Sequence, residues 1–182
     1  MTLIARLLPL NHVLLGLEAS SKKRLFEQIG LLFENSRQIP RARVFDALFE
    51  REKLGSTGLG FGVAIPHGRI RTLKEPVCAF VRTQSPIPFE APDGQPVTLV
   101  FALLVPEHAT EAHLEILSEL AQMFSDAELR ERLATIDDIQ AAHRLITKTS
   151  FRGDFWSVAY DETGRWRRTG DRDASTARRS RR

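Results

Sequence analysis

The sequence predicts an α/β domain with helices on both faces of a mixed sheet. Three observations predict it. Strand-like and helix-like patterns alternate through the first 105 residues. Residues 97–105 are almost wholly apolar, as a strand covered on both faces requires. Residues 110–148 then keep a helical period.

Residues 3–8 form a short helical piece stopped by Pro9, and residues 13–17 read as a strand. Ser20 and Ser21 offer N-caps for a helix reaching about residue 35. Leu25, Phe26, Ile29, Leu32 and Phe33 mark its buried face. Pro40 stands just before a second helix, in which Val44, Phe45, Leu48 and Phe49 repeat the spacing. That helix carries Arg51 in its last turn and stops at Gly55, a C′ glycine. A glycine-rich loop leads into an apolar run at 63–65, which ends at Pro66-His67-Gly68. A histidine between proline and glycine reads as held in a turn with little cover. Residues 77–83 alternate as a strand, with Val77, Ala79 and Val81 opposite Cys78 and Phe80. Pro86, Pro88, Pro92 and Asp93-Gly94 make an irregular connection to the 97–105 strand, which Pro106 ends. The helix at 110–125 points Leu114, Leu117, Leu120, Ala121 and Phe124 inward. Ser125-Asp-Ala-Glu128 reads as a capping box for a short helix to Leu133. Thr135-Ile-Asp-Asp138 resembles another, for a helix holding Ile139, Ala142 and Ile146.

At 182 residues the chain suits one domain with a tail. Nothing in it approaches the roughly 20 apolar residues that span a membrane, and the N-terminus lacks a signal-peptide pattern. The reading is a mature, cytoplasmic protein without stable membrane insertion. Cys78 is the single cysteine, so no internal disulfide forms. Residues 151–182 hold nine arginines against five acids, a net of +4. The whole chain is +3, so residues 1–150 carry 3 − 4 = −1. The basic charge therefore belongs to the tail, which argues against a nucleic-acid partner for the domain. Residues 151–182 read as a basic, disordered and solvated segment.

The chemistry concentrates between residues 51 and 69: Arg-Glu-Lys-Leu-Gly-Ser-Thr-Gly-Leu-Gly-Phe-Gly-Val-Ala-Ile-Pro-His-Gly-Arg. Four glycines fall between Gly55 and Gly62. A Walker loop needs a lysine after its glycines, and none follows. A dinucleotide fingerprint runs strand, glycines, helix, whereas here the order is helix, glycines, strand. What remains is a loop whose backbone can approach an anion, beside His67. A neutral imidazole is a competent nucleophile near neutral pH and can hold a phosphoryl group as phosphohistidine. Such a carrier needs positioning and positive charge, with no metal or cofactor of its own. Arg51 precedes the loop, and its guanidinium fork suits two phosphate oxygens. As a cation in the last turn of a helix it also complements the dipole. His113 falls in the first turn of a helix, where the dipole keeps an imidazole neutral. By itself it reads as a surface histidine on a helix. Ser56 and Thr57 either bond a phosphate or cap the loop. His108 and His113 are five apart and do not share a helix face as a metal pair would. His12 and His143 read as structural histidines, and Cys78 as a buried apolar residue. Arg69 and Arg71 either meet an acidic partner or are solvated.

The 51–69 run resembles the active-site segment of the phosphotransferase-system (PTS) EIIA proteins of the fructose/mannitol type. Arg-Glu-Lys-x-Gly-Ser-Thr-Gly-x-Gly followed by Ala-Ile-Pro-His-Gly is nearly the signature of the nitrogen-regulatory branch, EIIA-Ntr. Phe-Ala-Leu-Leu-Val-Pro at 101–106 and His113-Leu114 match further on. The resemblance covers about residues 7–149. It implies a three-layer α/β/α sandwich with a central mixed β-sheet, as a PTS EIIA type-2 domain over residues 1–150. It implies a phosphotransferase in which His67 takes a phosphoryl group at Nε2 from the carrier HPr or its nitrogen-branch counterpart. His113 is then the second active-site histidine and Arg51 the cation that holds the phosphate. Gly55, Ser56, Thr57 and Gly58 are the expected phosphate-cradling loop. The expected partners are an HPr-type phosphocarrier and regulated targets such as a sensor kinase or transporter. With no EIIB or membrane domain in the sequence, the regulator is favoured over a sugar-transport component that passes phosphate to EIIB. A binding module that keeps the fold without transferring phosphate is the third reading.

Overall fold

Capping chemistry sets where the helices begin. In the computed structural model, which describes residues 2–149, 158–160 and 166–168, α1 (Leu3–Leu7) is capped by the Thr2 hydroxyl on Ala5 N. The Glu119 carboxylate, supplied from another helix, accepts from Leu3 N and Ile4 N. A single 3-10 turn, Leu10–His12, leads into β1 (Val13–Leu17). The Ser21 hydroxyl accepts from Arg24 N and starts α2 (Lys22–Arg37). Pro40 precedes α3 (Arg41–Lys53), which ends at Leu54 and Gly55. β2 (Gly58–Gly60), β3 (Val63–Ala64), β4 (His67–Ile70), β5 (Val77–Ile87) and β6 (Val97–Pro106) follow. The chain then turns helical in α4 (Thr110–Ser125), α5 (Ala127–Thr135) and α6 (Ile139–Lys148).

The sheet order is β1-β5-β6-β3-β2, with β4 also pairing β6. β1 lies parallel to β5, and β5 antiparallel to β6, so the sheet is mixed. β3 and β4 share one edge of β6 in a single register, Val63 opposite Leu99 and His67 opposite Leu103. They are one strand interrupted at Ile65-Pro66, where the proline has no N–H to give. Each face of the sheet has its own core. Cys78, Phe80, Phe101 and Leu103 pack under α1, α4, α5 and α6. Ala79, Val81, Ala102 and Leu104 pack under α2 and α3. Opposite faces of β5 and β6 thus feed opposite cores, which makes the three layers that the sequence predicted.

Several local expectations change. His67 is the first residue of β4 and 3% exposed, where a turn with little cover was expected. Pairing with β6 resumes immediately after the proline, and α3 packs on β4. The glycine loop contains β2, paired antiparallel with β3. β5 continues through Pro86 to Ile87 past a register shift. Leu114 and Ile139 are 42% and 43% exposed, and Ile116 and Met123 face the core of α4 instead. Asp126, one residue after the expected Ser125, caps α5 by accepting from Glu128 N and Leu129 N. His12 bridges the Cys78 carbonyl and the Ser36 hydroxyl, and His143 meets Leu8 O, so both serve as structural ties. The disordered tail of the sequence reading falls outside the described residues except at β7 (Val158–Tyr160) and β8 (Trp166–Arg168). There the backbone is paired antiparallel, and β7 runs against α4.

Candidate active site

The last turn of α3 carries two consecutive residues with opposite tasks. Glu52 points inward and is 8% exposed. A carboxylate at a helix C-terminus opposes the dipole, so it requires specific donors. It has them: Thr57 N at 3.1 Å, the Thr57 hydroxyl, and Lys22 Nζ at 3.0 Å. The loop from Gly55 is therefore folded back over Glu52. Ser56 adds a second tie, its hydroxyl donating to Phe89 O and accepting from Gly58 N. A Cβ at Gly58 would lie 2.7 Å from that of Ala91, so glycine is required where the loop crosses the 88–93 connection.

Arg51 points the other way. Its Nη1 donates to Gly55 O at 2.8 Å, and its Nε donates to His67 Nε2 at 3.2 Å. One guanidinium thus ties the loop to the histidine. The His67 ring is fixed at its other nitrogen. Nδ1 lies 2.8 Å from Ile65 O, which can only accept, so Nδ1 carries the proton and Nε2 presents its lone pair. Pro66 O accepts from Leu103 N on β6 and Ile65 N donates to Thr57 O, so the Ile65 carbonyl faces away from β6 and is open to this ring. Gly68 lets β4 lie on α3, since a Cβ there would meet Ala47 C and O at 2.8 Å.

The third side chain arrives from the first turn of α4. His113 is 8% exposed, and its ring centroid stands 5.1 Å from that of His67 at an interplanar angle of 64°. Among the described residues, His113 Nε2 is a buried side-chain nitrogen with no hydrogen-bond partner. Buried polar atoms are rarely left so, and here the atom lies beside the candidate nucleophile. Burial holds the His67 pKa down to about 3, with the charges of Arg51, His113 and Arg69 adding to it. His113 is held down to about 4, by burial first and then by Arg69 and Arg51. Both rings are therefore neutral at pH 7.

The structure brings Arg51, His67 and His113 together. Three of the four amides in the expected cradle, those of Gly55, Thr57 and Gly58, already have acceptors within the protein. Gly55 N bonds Glu52 O, and Thr57 N and Gly58 N have the acceptors named above. The Ser56 and Thr57 hydroxyls are likewise engaged within the protein. Two contributors escaped the sequence reading. Glu52 was signalled only by an acid standing where the helix dipole disfavours one. Arg69, weighed there as a solvated cation, rests its Nη1 on Glu107 O and still lowers the pKa of both histidines.

Known proteins share the sequence and the fold. The chain is 40% identical over 146 residues to a nitrogen regulatory protein of Pseudomonas aeruginosa, covering 79% of this chain and 94% of that one. The crystal structure of nitrogen regulatory protein IIA-Ntr from Neisseria meningitidis superposes with a TM-score of 0.76 at 53% identity, over 80% of this chain and 100% of that one. The mannitol IIA of Escherichia coli, solved in complex with phosphorylated IIB, shares the fold at a TM-score of 0.66 and 21% identity, over 79% of this chain and 100% of that one. The family model for the phosphoenolpyruvate-dependent sugar phosphotransferase system, EIIA 2, matches residues 6–149, and the chain belongs to that family.

Proposed function

We propose that the protein is a phosphohistidine carrier that accepts a phosphoryl group on His67 Nε2. The observation that carries this reading is the arrangement around one ring. Ile65 O holds the proton on Nδ1, Arg51 donates to Nε2, and the His113 ring stands edge-on against the His67 ring. In the transfer, the Nε2 lone pair forms a bond to phosphorus while the N–P bond of a donor phosphohistidine breaks. The donor ring keeps that electron pair. The proton stays on Nδ1, donated in a hydrogen bond to the Ile65 carbonyl, which supports the positive charge that the phosphorylated ring acquires. Arg51 exchanges its contact with Nε2 for the phosphoryl oxygens, and His113 Nε2–H donates to one of them. The 55–58 loop serves by holding Arg51 in place through Gly55 O.

The donor is an HPr-type phosphocarrier or its nitrogen-branch counterpart. The acceptor role is regulatory: phosphorylation changes which target the protein binds. The named nitrogen-regulatory relatives support that branch. The mannitol complex keeps a second reading in view, in which phosphate passes on to an EIIB domain. Incubation with phosphoenolpyruvate, enzyme I and the carrier, followed by intact mass measurement, tests the proposal. We expect an acid-labile gain of one phosphate that His67→Ala abolishes. A gain that survives His67→Ala places the chemistry elsewhere. Loss of the label on adding sugar-specific EIIB proteins would replace the regulator with the transport component.

A further inference from the structure

A transferring phosphoryl group spreads its charge over three equatorial oxygens. The carrier reading gives donors to two of them, from Arg51 and His113. In the loop, the amides of Gly55, Thr57 and Gly58 already have acceptors. Another element has to supply the third donor, and β4 offers one. His67 and Arg69 lie on one face of that strand, about 6.7 Å apart along it. Gly68 and Ile70 take the opposite face, Gly68 against Ala47 of α3 and Ile70 in the core under α2 and α3. The face of His67 and Arg69 is the one to which α4 brings His113. Arg69 Nη1 donates to Glu107 O at 3.0 Å, in the turn between β6 and α4. Its guanidinium is thus held at the turn that leads into the helix of His113. The charge of Arg51 acts more strongly on the His67 ring, and that of Arg69 more strongly on the His113 ring.

We propose that Arg69 is the third donor of the site and holds a phosphoryl oxygen on the side of His113. The proposal rests on the carrier reading above. The two rings then stand between two guanidinium groups, one from α3 and one from β4. Arg69 is exposed, and among the described residues its hydrogen bond is the one to Glu107 O. A guanidinium has several N–H donors in a planar fork, so the carbonyl leaves others for an oxygen. The contact with Glu107 O orders the side chain before the phosphoryl group arrives, which lowers the entropy lost on binding it. Arg69 keeps its proton throughout and acts by stabilising charge. Arg71 is the contrast. It lies past the end of β4, and its Nε meets the Glu107 carboxylate at 3.4 Å. The arginine charges that act on the two histidines are those of Arg51 and Arg69.

Phosphoramidate as the donor isolates this role, because it brings no protein surface to dock. The His67 Nε2 lone pair forms a bond to phosphorus while the P–N bond breaks. The leaving nitrogen, already protonated as –NH3+, takes the bonding pair and departs as ammonia. Phosphorylation of the full chain by phosphoramidate is followed by intact mass for the parent, Arg69→Gln, Arg69→Lys and Arg71→Ala, with urea melts to check each fold. Arg69→Gln is expected to slow the reaction on the order of tenfold, less than the loss of a buried donor because Arg69 faces solvent. Arg69→Lys should recover most of the rate, and Arg71→Ala should keep all of it. With the phosphorylated carrier as donor, the Arg69→Gln loss is expected in kcat, since the contact acts on the transition state. A loss confined to KM, with the phosphoramidate rate unchanged, makes Arg69 a docking residue and overturns the proposal. An equal loss in Arg71→Ala overturns it too, because the effect is then one of general surface charge. A parent that takes phosphate no faster than Arg69→Gln overturns the proposal and leaves the carrier reading standing. A parent that takes no phosphate from either donor overturns both.

Discussion

Burial lowers the pKa of three histidines, His12, His67 and His113, and makes the fold sensitive to acid, with the largest share assignable to His67. The pKa of His67 falls from an ordinary 6.5 to about 3 on folding. The unfolded chain therefore binds a proton below pH 6.5 that the folded chain refuses. Stability from this group is fully present above pH 6.5. It is lost as pH falls, and the loss levels off only near pH 3. Each unit within that window costs about 1.4 kcal/mol, so about 2 kcal/mol is gone at pH 5. His113, held to about 4, works in the same direction, and its contribution is coupled to that of His67. Carboxylates such as Glu34 and Asp93 have lowered pKa values, so their stabilisation is lost at lower pH. A fall between pH 8 and pH 5 thus isolates the histidines. Urea unfolding at both pH values, for the parent and for His67→Gln, measures the effect. The parent is expected to lose about 2 kcal/mol or more, and the variant about 2 kcal/mol less than the parent. NMR should show the His67 ring neutral throughout. A His67 that titrates near 6.5, or an equal acid loss in His67→Gln, would refute the reasoning.

Gly68→Ala places a methyl 2.8 Å from the Ala47 carbonyl. It should destabilise by about 1–3 kcal/mol in urea melts and slow phosphorylation by moving β4 off α3, whereas a neutral effect would mean that α3 yields freely. Glu52→Gln weakens the ties to Lys22 and Thr57 and should cost about 1–3 kcal/mol. A double-mutant cycle with Thr57→Val should show coupling, and additive effects would remove Glu52 as the anchor of the loop. His113→Ala removes a nitrogen that has no hydrogen-bond partner among the described residues. Transfer should slow by a factor on the order of 10² with the fold retained, and an unchanged rate would leave His113 a packing residue.

Much of the fold was legible because its signals are local. The apolar 97–105 run, the 3–4 spacing of α2 and α3 and the Ser21 cap each depend on a few neighbouring residues. Misreadings arose where a distant partner decides the outcome. Nothing near Leu114 says that α4 turns Ile116 and Met123 inward instead; the placement of the helix on the sheet does. Glycines at 58, 60 and 62 signal a loop, yet pairing with Val63 and Ala64 draws part of it into β2. Three of the site residues were legible as residue types, whereas their contacts depend on α3, β4 and α4 meeting in space.

The burial of His67 changes what the glycine loop is for. An exposed histidine would need an anion cradle to fix the incoming phosphoryl group. His67 instead is fixed before anything arrives, by Ile65 O on one nitrogen and Arg51 on the other. The desolvation that holds its pKa near 3 also keeps the lone pair available well below neutral pH. A cost accompanies that preorganisation, since His113 Nε2 is buried with no hydrogen-bond partner among the described residues. A phosphoryl oxygen would satisfy that nitrogen at the moment that Arg51 gains its counter-charge. Three of the loop's four amides are committed to Glu52 and Ser56, so on the carrier reading its contribution is rigidity: through Gly55 O it holds the arginine whose Nε–H reaches His67 Nε2.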